Sequence, residues 1–481
     1  MSDRRRAAGG VVGRGGGRAA LVACALMLPA VAEAQTLREA LALAYSNNPT
    51  LQAARARLRA TDENVPQALS GWRPVVTLQG QYGYADGTQT GAAQNNGLRI
   101  RTNTERNPLS GSATFSQPLY RGGRTVSATR RAESQVLAER ANLLATEQTV
   151  LGEGVNAYVT VIQNQEVLRL TINNVRVLER QLQAARDRFR VGEITRTDVA
   201  QAEARLERAR SERSRADGDL QTARATFERT IGEPPRTLTA PPPLRPIARD
   251  ANEAARLAEA NNPNVLRARF DEQAAIHNVD VIFGELLPTA SLQGSTFRND
   301  DSSLRDTRNT GSQIIGVVSV PLYQGGQEYA RVRQAKQEAQ RAQEVLNEVR
   351  RQAVENARRS WETLQAALAE VNARTAQIRA NEIALDGVRR EALVGSRTTL
   401  DVLNAEQELL DARTALVRAT RDYLIATYAL AATAGRLTAR DLQLPVQLYD
   451  PLEHYTSVRD RWIGTDVPPP RSPALTPTAT R

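Results

Sequence analysis

Cysteine and histidine are almost absent from this chain of 481 residues. The single cysteine, Cys24, lies in an N-terminal stretch, and the two histidines, His277 and His454, have no cysteine beside them. A His/Cys metal site is therefore excluded, and no disulfide is expected once Cys24 leaves with a leader peptide. The sequence also lacks a G-x-x-x-x-G-K-[ST] phosphate-binding loop. We expect no enzyme activity, no cofactor and no metal, so energy for any transport must come from a partner.

Aromatic residues and long apolar runs are scarce as well. Aromatics make up 4% of the chain, and no stretch beyond the leader holds 18 consecutive apolar residues. This composition favours long helices over a thick globular core, and it predicts no transmembrane helix. For an exported chain, a soluble periplasmic protein or an outer-membrane β-barrel then remains.

Residues 1–34 have the composition of a secretory signal peptide. A basic segment at 4–18 precedes a short apolar segment at 19–31, and Ala32-Glu33-Ala34 matches a cleavage site. This pattern predicts cleavage before Gln35 and export across the inner membrane.

The net charge of +10 does not point to nucleic acid. Arginine alternates with glutamate and aspartate along the chain, which is typical of solvated helix faces. We therefore expect no nucleic-acid partner, and export through a signal peptide argues against one too.

A domain-scale duplication organises the rest of the chain. Residues 117–124 (QPLYRGGR) recur at 320–327 (VPLYQGGQ), a shift of 203, and the Asn-Asn-Pro at 47–49 recurs at 261–263, a shift of 214. The first copy therefore carries 214 − 203 = 11 extra residues between these two landmarks. The repeat is of domain size rather than a solenoid period.

The expected elements follow from glycine, proline and hydrophobic periodicity. The predicted division is a first repeat at 35–232, a Pro-rich linker at 233–249, a second repeat at 250–436, a helical appendage at 437–464 and a disordered tail at 465–481. Within the first repeat we expect strands at about 75–84 and 112–119, a long helix at 124–190 and a return helix at 196–231. The second repeat is expected to hold strands at about 289–297 and 313–322, a long helix at 326–393 and a return helix at 399–434.

The strands have one apolar and one polar face. In the first strand Val76, Leu78 and Tyr82 alternate with Thr77 and Gln79. About ten residues of such alternation is the pattern of a transmembrane β-strand. The segment 86–110, rich in Gly, Asn, Thr and Gln, is expected to be an exposed loop.

The long helices are expected to pack as coiled coils. No proline interrupts residues 124–190, which at the helical rise correspond to about 100 Å. Apolar residues recur every seven positions, with Leu137, Leu144, Leu151 and Tyr158 in the first copy and Leu364, Val371, Ile378 and Leu385 in the second. Each long helix would pair with its return helix as an antiparallel hairpin.

Four strands cannot close a barrel in lipid, where every backbone group must be paired. Several chains must therefore pool their strands, and the polar strand faces favour a water-filled lumen. Three chains with four strands each form the smallest open solution. The expected fold is a mixed α and β, mostly helical chain: a trimeric 12-stranded outer-membrane β-barrel, continued by a long antiparallel coiled-coil α-barrel.

The chain resembles the TolC-type outer-membrane efflux channel family. The resemblance rests on the duplicated Asn-Asn-Pro, on PLYRGG and PLYQGG, and on the two turns VGEITRTDV (191–199) and VGSRTTLDV (394–402). It covers about 37–445 and implies a homotrimer in the outer membrane with a large periplasmic portion. It further implies docking on a periplasmic adaptor and an inner-membrane pump or ABC exporter, for efflux or type I secretion.

The resemblance also implies a gate at the helical tips. In the family, threonine and acidic side chains at the first tip meet an arginine at the second, and Thr197, Asp198 and Arg397 stand at those positions here. Ala392 replaces the usual tyrosine, which predicts a weaker closed state.

A second implied feature is a carboxylate ring at the narrowest point. The family motif DVLDA reads DVLNA here, so Asp401 is kept and Asn404 replaces the second aspartate. Three carboxylates instead of six predict weaker attraction of cations. The alternative is that Asn404 simply faces a neighbouring helix.

The exposed tips are candidates for adaptor contact, through Val191, Gly192, Val394 and Gly395. A purely structural role is the alternative, because both glycines suit helix C-caps and nearby Thr or Asp can cap the next helix. The leading function is an outer-membrane export duct. The competing function is a periplasmic coiled-coil adaptor or scaffold without a barrel, which would not need apolar-out strands.

Overall fold

The computed structural model describes residues 35–92, 99–302 and 305–467. The predicted signal peptide, its cleavage site and most of the predicted disordered tail lie outside the described residues. The helices of eight or more residues are α1 (Leu37–Asn47), α2 (Pro49–Asp62), α4 (Arg124–Arg190), α5 (Arg196–Ile231), α6 (Ala251–Asn261), α7 (Pro263–Phe283), α8 (Gln327–Leu393), α9 (Thr399–Thr433) and α10 (Pro451–Val458), and α3 (Asn64–Leu69) is shorter. The strands are β1 (Val75–Tyr82), β2 (Ala85–Ala92), β3 (Arg99–Arg106), β4 (Leu109–Arg121), β5 (Thr289–Asp300) and β6 (Arg308–Ser319). Within the described ranges, none of the helices is long and apolar enough to cross a membrane.

The duplication is visible in the helices. α4 and α8 each have 67 residues, and both begin after a left-handed glycine, Gly123 or Gly326. α5 and α9 return antiparallel to them with 36 and 35 residues. At about 1.5 Å per residue, each long helix spans about 100 Å, roughly twice its partner.

The repeated Asn-Asn-Pro supplies the missing length by joining helices end to end. Asn48 caps α2 through its Oδ1, which accepts from Thr50 N at 2.9 Å, while its Nδ2 donates to Thr230 O in the last turn of α5 at 3.0 Å. Asn262 repeats both bonds with Asn264 N and with Thr433 O of α9. One amide therefore satisfies an orphan donor of one helix and an orphan carbonyl of another.

Four strands form one antiparallel sheet in the order β1-β4-β5-β6. The register is continuous except for a bulge in β4 between Pro118 and Tyr120. Pairing of β1 with β4 stops at Ser116, just before that proline. This agrees with the lack of an amide donor on proline. β6 ends at Ser319, so residues 320–322 of the predicted strand 313–322 lie beyond the ladder.

The prediction of an exposed loop at 86–110 was wrong. β2 and β3 form a regular antiparallel hairpin there, from Ala85 opposite Arg106 to Ala92 opposite Arg99. Cross-strand polar pairs contribute, and Thr88 Oγ1 lies 2.8 Å from Asn103 Oδ1. Glycine and asparagine suggested a loop, but a two-stranded ladder needs only paired backbones, and threonine favours it.

The largest core lies midway along the molecule, where α1, α2, α4 and α5 meet the C-terminal segment. Tyr158 is fully buried, and its hydroxyl lies 2.7 Å from Gln35 O and 2.8 Å from Thr239 O. Burial raises the pKa of Tyr158 to about 12. The Pro-rich linker is thus held against α4 instead of acting as a free spacer.

The C-terminal segment is clamped to the same region by charged side chains. Arg55 is 2% exposed, and its guanidinium lies 4.5 Å from the ring centroid of Tyr45 and 5.2 Å from that of Tyr449. Burial raises the pKa of Asp62, which accepts a hydrogen bond at 3.1 Å from His454 of α10.

Candidate functional site

The candidate site is the pair of helix-hairpin tips farthest from the sheet. α4 and α8 end in matching turns in which glycine takes a left-handed conformation, with φ of +80° at Gly192 and +79° at Gly395. In the first turn Gly192 N donates to Phe189 O and Glu193 N donates to Arg188 O, both at 3.0 Å. These two hydrogen bonds together form a Schellman motif, which satisfies carbonyls in the last turn of the long helix. Val191 and Val394 are 77% and 80% exposed, so both tips present an apolar side chain to solvent.

The predicted gate carboxylate, Asp198, and the predicted constriction carboxylate, Asp401, close capping boxes of their own helices. Asp198 Oδ2 accepts from Thr195 N at 2.9 Å and from Thr195 Oγ1 at 2.8 Å. Asp401 Oδ2 makes the same two bonds with Thr398, at the same distances. Hydrogen bonds to the charged form lower the pKa of both carboxyls, with the Thr195 hydroxyl the main cause at Asp198 and the Thr398 amide at Asp401.

Arg397 pairs within its own tip. Its Nε lies 2.9 Å from Glu391 Oε2, and this pairing raises the pKa of the guanidinium. The first tip contains a charge-reversed counterpart, in which Arg188 of the long helix pairs with Glu193 of the turn at 2.7 Å. Within one chain Arg397 therefore does not meet Thr197 or Asp198. Thr197 is exposed and makes no side-chain hydrogen bond to the described part of the chain.

Asn404 faces the other hairpin. Its Oδ1 accepts a hydrogen bond from Arg205 Nη2 of α5 at 2.9 Å. The preceding residue, Leu403, is buried in the core formed by α4 and α5, next to residues such as Leu182 and Leu206. Within one chain this geometry agrees with the alternative that Asn404 contacts a neighbouring helix.

Sequence reasoning missed the ion pairs that hold each hairpin closed. Arg186 Nη2 lies 2.6 Å from Glu203 Oε1, and Arg389 Nη2 lies 2.6 Å from Glu406 Oε1. The second pair is the first shifted by 203 residues, since 186 + 203 = 389 and 203 + 203 = 406. A second duplicated pair joins Arg210 to Glu179 at 3.2 Å and Arg413 to Glu382 at 2.8 Å. Comparing charges between the two repeats would have revealed all four.

Across the described ranges, no group of three or more His, Cys, Asp or Glu side chains is placed to hold a metal ion.

Comparisons with known proteins match the chain over both repeats. The model of the outer membrane efflux protein family matches residues 40–233 and 254–436. Outer membrane efflux protein BepC of Brucella suis is 37% identical over 458 residues, which cover 93% of this chain and 97% of BepC. Outer membrane protein TolC of Escherichia coli is 25% identical over 74% of this chain and 73% of TolC.

A secretion protein and a solved channel also match. Alkaline protease secretion protein AprF of Pseudomonas aeruginosa is 26% identical over 57% of each chain. The crystal structure of the Campylobacter jejuni CmeC outer membrane channel has the same fold, with a TM-score of 0.73 over 88% of this chain and 89% of that chain at 15% identity. The resemblance inferred from the motifs is confirmed: the chain belongs to the outer membrane efflux protein family of TolC-type proteins, and it is an outer-membrane protein with a periplasmic part that acts as an exit duct for efflux or type I secretion.

Proposed function

We propose that three copies of this chain pool their four-stranded sheets into one 12-stranded barrel, and that their helices continue it as a periplasmic tunnel. The duct is passive and performs no chemistry. Its proposed partners are a periplasmic adaptor, an inner-membrane pump or ABC exporter, and the lipid of the outer membrane.

The observation that carries this proposal is the two-faced sheet with two open edges. One row of cross-strand partners is Val76, Phe115, Gly294 and Ile314, and the next row, on the opposite face, is Thr77, Thr114, Ser295 and Gln313. Leu78 and Ile314 are 82% and 79% exposed, so the apolar face is uncovered in a single chain. Lipid would cover such a face, while the polar face suits water.

The two unpaired edges of the sheet support the proposal that several copies of the chain join their sheets. Within the described residues, β1 and β6 each pair on one side only. Unpaired backbone groups are not tolerated in lipid, so each edge needs a partner strand. A second copy offers β6 to the free edge of β1, and repetition of that contact closes a ring. A periplasmic adaptor would have no use for this arrangement.

The gate belongs to contacts between hairpins of neighbouring copies. Arg397 is paired with Glu391, so a latch to Asp198 must exchange one exposed ion pair for another, and a latch to Thr197 must exchange it for a hydrogen bond to a neutral hydroxyl. Exposed ion pairs contribute little to stability because solvent screens them, so the exchange is nearly balanced. Contact of the adaptor with the apolar tips, Val191 with Gly192 and Val394 with Gly395, would then be enough to shift Arg397 between Glu391 and the latch.

The conduit is tested by reconstitution. Protein purified in detergent should run as an oligomer that dissociates on heating and should give ion-conducting steps in planar bilayers. A monomer that stays soluble without detergent and gives no conductance would refute the trimeric barrel.

The gate is tested with two variants of one ion pair. Arg397→Gln removes the latch and should raise the conductance of the closed channel. Glu391→Gln frees Arg397 for the latch and should leave the conductance unchanged or lower it. Equal increases in both variants would mean that the Glu391–Arg397 pair only stabilises its own turn.

The inner-membrane partner decides between efflux and type I secretion. Crosslinking in cells, followed by identification of the captured inner-membrane protein, should yield a drug pump in the first case and an ABC exporter in the second.

A further inference from the structure

The segment that follows α10, residues 459–467, presents apolar side chains to solvent. Trp462 and Ile463 are 65% and 88% exposed, and Val467 is exposed as well. The chain contains only three tryptophans, so one left in this environment stands out. Apolar side chains grouped on a surface indicate contact with another molecule or with lipid.

The segment folds around Arg461, which holds its apolar tip in place. Arg461 Nε donates to Ile463 O at 3.3 Å, and Arg461 Nη1 donates to Asp466 O at 2.7 Å. Gly464 has a φ of +115°, a backbone conformation that favours glycine, and a Cβ there would lie 2.5 Å from Arg461 Nη2. The tip formed by Trp462 and Ile463 is therefore part of a formed loop.

Two further contacts place this tip at the base of the sheet. Arg459 Nη2 lies 3.5 Å from Glu133 Oε1 of α4. Farther along, Arg73 Nη1 donates to Arg461 O at 2.8 Å, and the Arg73 guanidinium lies 5.1 Å from the ring centroid of Trp462. β1 begins two residues after Arg73, so Trp462 lies where the helices give way to the strands.

Exposed aromatic residues mark both ends of the sheet. Trp72, Tyr120 and Tyr323 lie at the end nearest the helices, and Tyr82 and Tyr84 lie at the opposite end. Transmembrane strands carry such aromatic girdles at the two boundaries between lipid and water. The tip of segment 459–467 stands at the level of the first girdle.

We propose that segment 459–467 is an interfacial anchor, in which Trp462 and Ile463 enter the periplasmic leaflet of the outer membrane and Arg73 lies against a lipid phosphate. This anchor depends on the placement of the sheet in the bilayer proposed above. Tryptophan favours the boundary because its ring is apolar while its N–H bonds to headgroups or water. Arg73 contacts a carbonyl and a ring, neither of which neutralises its charge, so it can attract an anionic headgroup.

Continuity with the apolar face of the sheet favours lipid over a neighbouring copy as the occupant. Val76, the first residue of β1 on that face, is exposed and lies three residues after Arg73. One lipid surface would cover both Val76 and the tip. The matched family model ends at residue 436, so the anchor lies outside the part of the chain that the model covers.

Tryptophan emission tests the anchor in vesicles of phosphatidylethanolamine and phosphatidylglycerol that carry bromine, a quencher, on the upper acyl carbons. One variant keeps Trp462 and one keeps Trp361, with the other native tryptophans changed to phenylalanine. A third carries Leu78→Trp, on the apolar face, in a chain with all three native tryptophans changed. Bromine should lower the emission from positions 462 and 78 about twofold, because both lie within its reach.

Trp361 is the matched control. It packs against the core formed by α6, α8 and α9, 34 residues into α8 and thus about 50 Å from the start of that helix. Its emission should not change with bromine. Migration as a heat-dissociable oligomer checks the assembly of each variant. The difference in emission between the wild type and Trp462→Phe reports on the same residue without further substitutions, and it should fall by the same factor.

The outcomes separate the anchor from the barrel. An unquenched Leu78→Trp chain overturns the placement of the sheet in lipid, and the anchor with it. Quenching at position 78 without quenching at Trp462 overturns the anchor alone. Acrylamide in the aqueous phase then identifies what replaces lipid: quenching of Trp462 means that water surrounds the tip, and protection means that a neighbouring copy covers it.

Discussion

Two glycines related by the duplication should respond very differently to the same substitution. Gly232 ends α5 and Gly435 follows α9, with φ of +95° and +74°. A Cβ added at Gly232 would lie 3.7 Å from Asn47 Cβ, an ordinary contact, whereas at Gly435 it would lie 2.3 Å from Asn261 O. Alanine in the left-handed region costs about 1–2 kcal/mol at either site. At Gly435 the backbone of α6 must move as well.

That movement disturbs the joint between α9 and α7. Asn261 precedes Asn262, whose Nδ2 donates to Thr433 O at 3.1 Å. Losing this bond and leaving the carbonyl unpaired adds about 1–3 kcal/mol. Gly232→Ala should therefore destabilise by about 1–2 kcal/mol, and Gly435→Ala by about 2–5 kcal/mol in sum.

Thermal unfolding of the purified protein, followed by helical circular dichroism at a fixed heating rate, measures the difference. Gly218→Ala is the control, because Gly218 lies inside α5 with open space around it, and alanine there should raise stability slightly. Equal losses at Gly232 and Gly435 would refute the steric argument, since strain alone would then explain both.

Three further outcomes follow from the tips and the sheet. Thr398→Ala removes the cap of α9 and should cost about 1 kcal/mol, seen as faster hydrogen exchange over the first turn, whereas Thr398→Ser should keep most of the protection. The lowered pKa of Asp401 means that its stabilisation is present above the ordinary carboxyl pKa of about 4 and is lost as pH falls through the lowered value. Exchange in that turn should thus accelerate at acid pH in the wild type, and Asp401→Asn should flatten the response. Leu78→Arg on the apolar face should destabilise the membrane-inserted protein by about 2–4 kcal/mol, while Gln79→Arg on the polar face should cost little; similar losses would contradict the assignment of the two faces.

Local patterns predicted the helices well because their ends are determined by neighbouring residues. α4 begins after Gly123 and ends at Arg190, and α5 begins at Arg196, as the sequence indicated. Each of these boundaries depends on a cap or a glycine within one turn. The hairpin of β2 and β3 was not predicted, because its polar composition is equally compatible with a loop and only the backbone pairing of the two strands shows a ladder.

The tips show a second limit of local reasoning. Thr-x-x-Asp at 195–198 and at 398–401 is a capping pattern, and the structure contains both caps. By resemblance, Asp198 was also assigned to the inter-hairpin gate and Asp401 to the carboxylate ring at the constriction. A carboxylate that caps its own helix still has free lone pairs, so the first role does not exclude the second. Within a single chain, however, only the cap is formed.

Asn404 shows why a motif cannot be interpreted from one helix alone. Replacing an aspartate by Asn404 predicts the loss of one negative charge per copy and nothing more. The structure adds Arg205, which is 199 residues away in sequence and 2.9 Å away in space. Electrostatic potential depends on every charge within about a Debye length, whichever helix carries it. The substitution on α9 and the arginine on α5 therefore have to be considered together, and only the fold shows that they meet.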